Sequence, residues 1–96
     1  MERRIHPRYK YITPMQVTVA KKLFKGYTYD IGQGGVSFII DTVIHPGAVK
    51  IELPEANLTL EGRIITNQPT DTAGLYRHQM QFKELLLNMV LEELLG

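Results

Sequence analysis

Apolar and polar residues alternate along much of the chain. Met15, Val17 and Val19 alternate with Gln16, Thr18 and Ala20, which predicts a half-buried β-strand. Lys21 to Gly26 reads as a charged turn, and Tyr27-Thr28-Tyr29 as a short strand ended by Gly32-Gln33-Gly34-Gly35. Val36, Phe38 and Ile40 resume the alternation, and His45-Pro46-Gly47 marks a turn. Val49, Ile51 and Leu53 alternate with Lys50 and Glu52 up to Pro54. Leu58, Leu60 and Ile64 keep even spacing, with Gly62 as a candidate bulge. Asn67 to Gly74 is rich in loop residues, and Tyr76, His78, Met80 and Phe82 then share one face. The pattern predicts about six short strands, the spacing of a small barrel or sandwich.

The carboxy-terminal end has a different rhythm. Glu84 to Leu95 holds no Gly, Pro or aromatic residue and many leucines, which predicts a helix. Its apolar residues cover most of the helix circumference, more than one barrel surface can bury. A second contact surface is therefore expected, either another copy of the chain or a larger polypeptide.

At 96 residues the chain has room for one domain and one modest core. There is no cysteine, so disulfides, thiolate metal sites and a cysteine nucleophile are excluded. That composition fits a reducing cytoplasm. The net charge of +1 hides an asymmetry. Residues 1–25 carry seven basic side chains and one acidic one, a net +6, whereas residues 26–96 sum to −5. An anionic partner is expected at the amino-terminal end. No apolar run is long enough to span a bilayer, and no apolar segment follows the basic start as a signal peptide requires.

Two segments carry candidate chemistry. Arg3, Arg4 and Arg8 lie within six residues, with Pro7 stiffening the arm. A guanidinium offers a planar fork that suits phosphate oxygens, and the O6/N7 edge of guanine equally. Asp30-Ile31-Gly32-Gln33-Gly34-Gly35 places a carboxylate beside glycines that admit close backbone approach. A carboxylate there can accept from the N1–H and N2–H₂ donors of guanine. The segment is neither a P-loop nor a dinucleotide fingerprint, since neither Gly-Lys-Ser/Thr nor a helix follows. His6, His45 and His78 are scattered and make no metal site, and His78 belongs with the packed face. Ser37, the single serine, has no base partner that would make it a nucleophile. Arg77 and Lys50 are weaker candidates for a ligand edge.

Taken together, these segments resemble the PilZ domain family, whose members bind the bacterial second messenger cyclic di-GMP. The family pattern is RxxxR in an arm, followed by D/NxSxxG in an early strand and turn. Arg4-Ile-His-Pro-Arg8 matches the first and Asp30-Ile-Gly32-Gln-Gly-Gly35 the second, with glycine at 32 where relatives usually have serine. Val36-Ser37-Phe38 and Tyr76 to Phe82 are similar to family segments as well, and the wording Tyr29 to Phe38 is close to PilZ modules of bacterial cellulose synthases.

The resemblance implies a mainly β fold, a six-stranded antiparallel barrel closed by a carboxy-terminal helix. It implies one domain over 1–96, divided into an arm (1–10), a barrel (11–82) and a helical end (83–96). The implied ligand is cyclic di-GMP, with no cofactor or metal, held by Arg3, Arg4, Arg8, Asp30, Gly32 and Gly35. The arm would order over the ligand. Losing the serine hydroxyl at 32 would cost about 0.5–1.5 kcal/mol. The expected role is a non-enzymatic sensor acting on an exopolysaccharide (cellulose) synthase or a motility component. Its location would be the cytoplasm, or the cytoplasmic face of the inner membrane. Partner contact is expected through the carboxy-terminal helix, to a protein in trans, a parent chain or a second copy, without membrane insertion. Two alternatives stay open. One is a degenerate PilZ domain acting only through protein contacts. The other, disfavoured, is a small barrel for single-stranded nucleic acid, using Tyr9, Tyr11, Tyr27 and Tyr29 as stacking faces.

Overall fold

The computed structural model describes residues 6–96. Its strands are β1 (Tyr9–Lys10), β2 (Pro14–Val19), β3 (Lys22–Ile31), β4 (Gly35–Ile40), β5 (Gly47–Leu53), β6 (Leu58–Pro69) and β7 (Tyr76–Phe82), followed by helix α1 (Asn88–Leu95). Every pairing is antiparallel. The order β3-β2-β5-β6-β7-β4 closes on itself through β3–β4, which makes a six-stranded barrel. Strand β1 is an extra strand beside the far end of β3, with Tyr9 opposite Ile31 and Lys10 opposite Asp30. Closure removes the open edges that the six strands would otherwise carry.

The inward residues are those the alternation predicts. Met15, Val17, Val36, Phe38, Ile40, Ile51, Leu53, Ile64 and Met80 are buried in one cluster. His78 shares that interior. It is fully buried, its ring stacks on Phe38 at 5.1 Å between centroids, and its Nε2 accepts from the Ile44 amide at 2.9 Å. Burial pushes its pKa below the ordinary histidine value, opposed by the Tyr76 backbone. The unfolded chain, with a histidine pKa near 6.5, then binds the proton more readily than the folded one. Stability is full above about pH 6.5 and falls as pH drops below it, by at most about 1.4 kcal/mol per pH unit, until the folded pKa is reached. Urea midpoints at two pH values spanning that range should show the decline, and equal midpoints would contradict it.

Several boundaries differ from the sequence expectation, each for a local reason. Lys22 to Gly26 is strand, not turn. The reversal is confined to Ala20 and Lys21, both left-handed at φ 49° and 69°, as in the two-residue turns that match strand twist. Lys22 and Lys25 are both exposed, Lys25 on the outer face and Lys22 at the start of the strand, so their charge hides its continuity with Tyr27-Thr28-Tyr29. The irregularity in β6 lies between Ile64 and Thr66, not at Gly62. A Cβ on Gly62 would stand 2.1 Å from the Gln81 carbonyl oxygen, so glycine there admits the neighbouring backbone. Strand β6 also runs through the expected loop as far as Pro69.

The helix is shorter than Glu84–Leu95. Leu86 is buried, its amide donates to the Gln33 carbonyl at 2.8 Å, and its own carbonyl accepts from Gln33 Nε2 at 3.1 Å. These bonds hold the segment before Asn88 against the barrel and give its backbone partners that a helical turn would otherwise supply. Leu91 is buried and Val90 and Leu94 pack against the core, whereas Leu85, Leu87 and Met89 are each more than 60% exposed. No helix among the described residues is long and apolar enough to cross a membrane.

Candidate functional site

The site forms where β3 ends, turns through Gly32–Gly34 and returns as β4. The turn is tied on three sides. The Gly32 amide donates to the Gly35 carbonyl, the Phe82 amide to the Gly34 carbonyl, and the Leu86 amide to the Gln33 carbonyl. Register shifts between Thr28 and Asp30, which leaves Tyr29 as the extra residue of a bulge. Tyr29 is exposed, while Asp30 is buried and sits opposite Ser37. Strand β1 then delivers Pro7 and Arg8 to the turn.

Asp30 is the hub. Arg8 Nη1 donates to its Oδ1 at 2.9 Å, and Arg77 Nη2 donates to its Oδ2 at 3.1 Å. Arg8 Nη1 also approaches the Ser37 hydroxyl at 3.4 Å. The Arg77 guanidinium lies 4.3 Å above the centre of the Tyr29 ring, a cation–π contact, and its Nε is buried with no hydrogen-bond partner among the described residues. One carboxylate between two guanidiniums leaves a local excess of positive charge. The arrangement can therefore take an anion on its arginines and present an oriented acceptor on its carboxylate.

Of the residues singled out from sequence, Arg8, Asp30, Gly32 and Gly35 come together here. A Cβ on Gly35 would lie 2.3 Å from the Met80 carbonyl oxygen and 3.0 Å from Arg8 Nη2. Arg3 and Arg4 lie outside the described residues. Lys50 is elsewhere. It pairs opposite Glu61 in β5 and lines an open groove with Thr18, Arg63 and Lys83. Gln33, a candidate to replace the missing serine hydroxyl, has its side chain on the Leu86 carbonyl instead. Arg77 is more central than its sequence position suggests, and Tyr29 and Ser37 join it. The arm expected to order only on binding carries strand β1 at its end and a seated Arg8. Among the described residues no group of three or more His, Asp or Glu side chains is placed to hold a metal ion.

The PilZ domain model matches residues 2–95. The chain belongs to the PilZ family. No curated protein matches this PilZ domain, but solved structures share its fold. It is similar to the K. pneumonia MrkH–c-di-GMP complex at 19% identity and a TM-score of 0.74, covering 99% of this chain and 52% of that one. It is similar to the PilZ domain with c-di-GMP of YcgR from Escherichia coli at 13% identity and a TM-score of 0.68, covering 98% and 87%. The Bacillus subtilis inhibitor of motility, MotI/DgrA, gives 13% identity and a TM-score of 0.68, covering 99% and 49%. This PilZ domain thus spans about half the length of MotI and of MrkH.

Proposed function

We propose that this PilZ domain is a non-catalytic effector that binds cyclic di-GMP at the Arg8–Asp30 centre and passes the second-messenger level to a partner. The observation that carries the reading is the meeting of Arg8 and Asp30 over the Gly32–Gly35 turn, with Arg77 as a second cation on the same carboxylate. Each ligand molecule carries two phosphate charges. Arg8, with Arg3 and Arg4 from the arm, supplies charge compensation and forks for phosphate or for a guanine O6/N7 edge. Asp30 accepts from guanine N1–H and N2–H₂. Gly32 and Gly35 admit the Pro7 carbonyl and the Arg8 side chain close against the turn, which brings Arg8 to the base-binding edge of Asp30. Two of the similar structures, MrkH and YcgR, are complexes with c-di-GMP, which supports the same ligand here.

The finer role extends this reading. The partner is an exopolysaccharide synthase, such as a cellulose synthase, or a motility component, and the domain works in the cytoplasm or at the cytoplasmic face of the inner membrane. The likeness to an inhibitor of motility favours the second output. Leu85, Leu87 and Met89, exposed on and just after the segment that Gln33 ties to the barrel, are the contact surface for that partner.

Isothermal titration tests the ligand. Cyclic di-GMP should bind saturably, in the micromolar range or tighter. Arg8→Ala should weaken binding roughly tenfold to a hundredfold, the worth of a charged hydrogen bond. GTP and a short single-stranded oligonucleotide should not compete. Tight binding of the oligonucleotide with steep salt dependence, and none of the cyclic dinucleotide, would replace this reading with a nucleic-acid one.

A further inference from the structure

Gly32 keeps its place for want of space, not for backbone freedom. Its φ lies outside the left-handed region that glycine alone enters readily. A Cβ built there meets three atoms: the Pro7 carbonyl oxygen at 2.4 Å, Arg8 Cδ at 3.0 Å and Arg8 Nε at 3.5 Å. All three belong to the arm and none to the barrel. The contrast with Gly26, Gly35 and Gly62 is sharp, since a Cβ on any of those meets the backbone of a barrel strand first. At those positions a side chain would strain the barrel. At position 32 it would lift the arm and leave the barrel as it is.

We propose that Gly32 is a positioning residue: the empty space above it is the seat of the Pro7 carbonyl, and that seat holds Arg8 on Asp30. The consequence for binding rests on the effector reading above; the seat itself does not. Pro7 makes the coupling tight. Its φ is fixed by the ring, so its carbonyl can leave only if the Pro7–Arg8 peptide rotates. That rotation carries the Arg8 side chain off the line along which Nη1 donates to Asp30 Oδ1 at 2.9 Å. Downstream the chain is anchored independently, by the pairing of Tyr9 and Lys10 with β3 and by the Tyr11 amide on the Tyr29 carbonyl. The loss is therefore confined to the residues before Tyr9. A seated Arg8 is preorganised for an anionic nucleotide, because the arm does not have to be ordered in the act of binding. Glycine at 32 gives up a hydroxyl that could touch a base and gains an arginine already in place. A side chain at 32 is thus expected to weaken binding even where it adds a hydrogen-bonding group.

The test uses Gly32→Ala, which adds the Cβ and nothing else, beside Gly34→Ala. A Cβ at 34 meets only side-chain atoms, His6 Cδ2 at 3.3 Å and Leu85 Cδ2 at 3.9 Å, and no backbone. Backbone ¹⁵N heteronuclear NOEs are measured on the protein alone, then each form is titrated with cyclic di-GMP. Arg8 should match the barrel strands in the parent and in Gly34→Ala, and fall to tail-like values in Gly32→Ala with barrel amides unchanged. Affinity should fall about tenfold in Gly32→Ala, the order of fixing one residue's backbone. Gly32→Ser should fall likewise. An Arg8 NOE that stays at the barrel level in Gly32→Ala overturns the seat. A released arm with unchanged or tighter affinity overturns the preorganising role. If the parent protein binds no cyclic di-GMP, the effector reading fails and the ligand consequence with it, while the NOE comparison still decides the seat.

Discussion

Asp30→Ala is expected to lower the unfolding free energy by about 2–3 kcal/mol and to weaken cyclic di-GMP binding by more than about a hundredfold. The substitution leaves Arg8 and Arg77 beside each other with no counter-ion between them. Removing one partner of a fully buried pair costs about 3–5 kcal/mol. The side chains here are 16% and 24% exposed for Arg8 and Arg77, so water relieves part of the repulsion and the lower figure applies. Binding suffers more, because Asp30 is also the proposed acceptor for the guanine donors and the group that orients Arg8. Asp30→Asn keeps an oxygen for Arg8 and loses the charge, so it should fall between the two. Urea titration and calorimetry of the three forms give the comparison. An Asp30→Ala protein as stable as its parent would show that the two arginines do not depend on this carboxylate.

Phe38→Ala is expected to be the most damaging change to the fold, at about 3–5 kcal/mol. Phe38 is fully buried at the barrel centre and stacks nearly parallel to His78, at 5° between ring planes. Truncation removes the ring and also the face against which His78 is held. A domain of this length has roughly 5–15 kcal/mol in all. The variant therefore keeps little margin, and its Tm should fall by at least about 12 °C. Phe38→Leu preserves most of the volume and should lose much less. A thermal melt of Phe38→Ala within a few degrees of the parent would mean that the interior collapses around the gap.

The inward face of the barrel was legible because burial repeats every second residue. Met15/Val17, Val36/Phe38/Ile40, Val49/Ile51/Leu53 and His78/Met80/Phe82 all point inward as the alternation requires. What escaped it has no period. Lys22 and Lys25 look like turn residues because both are exposed, Lys25 on the outer face and Lys22 at the strand's first position, ahead of its buried residues. Leu85 to Leu87 have helical composition, but Gln33 takes Leu86 through backbone and side chain, and a helix there would forfeit those bonds. The bulge between Ile64 and Thr66 carries no glycine to announce it. At the site, Arg8, Asp30 and the glycines were found through a motif of local spacing. Arg77 is 47 residues from Asp30 in sequence and reaches it only because β7 pairs with β4, itself paired with β3. The sequence marks Arg77 only as a weaker candidate for a ligand edge, beside Lys50, because no local spacing ties it to Asp30.

The ring order of the strands also bears on how the chain is made. Strands β2, β3 and β4 form one hairpin-linked sheet, and β5, β6 and β7 another, with the break at residues 41–46. The two meet along the β2–β5 and β4–β7 seams. During synthesis the first sheet can zip as soon as Ile40 has emerged, with an apolar face bared and two edges open. Strand β5 covers one of those edges early. The other stays open until Tyr76–Phe82 appears, some 36 residues later by the numbering of the seam. For that interval the nascent chain presents a ready template for foreign strands, and the last strand to emerge is the one that withdraws it.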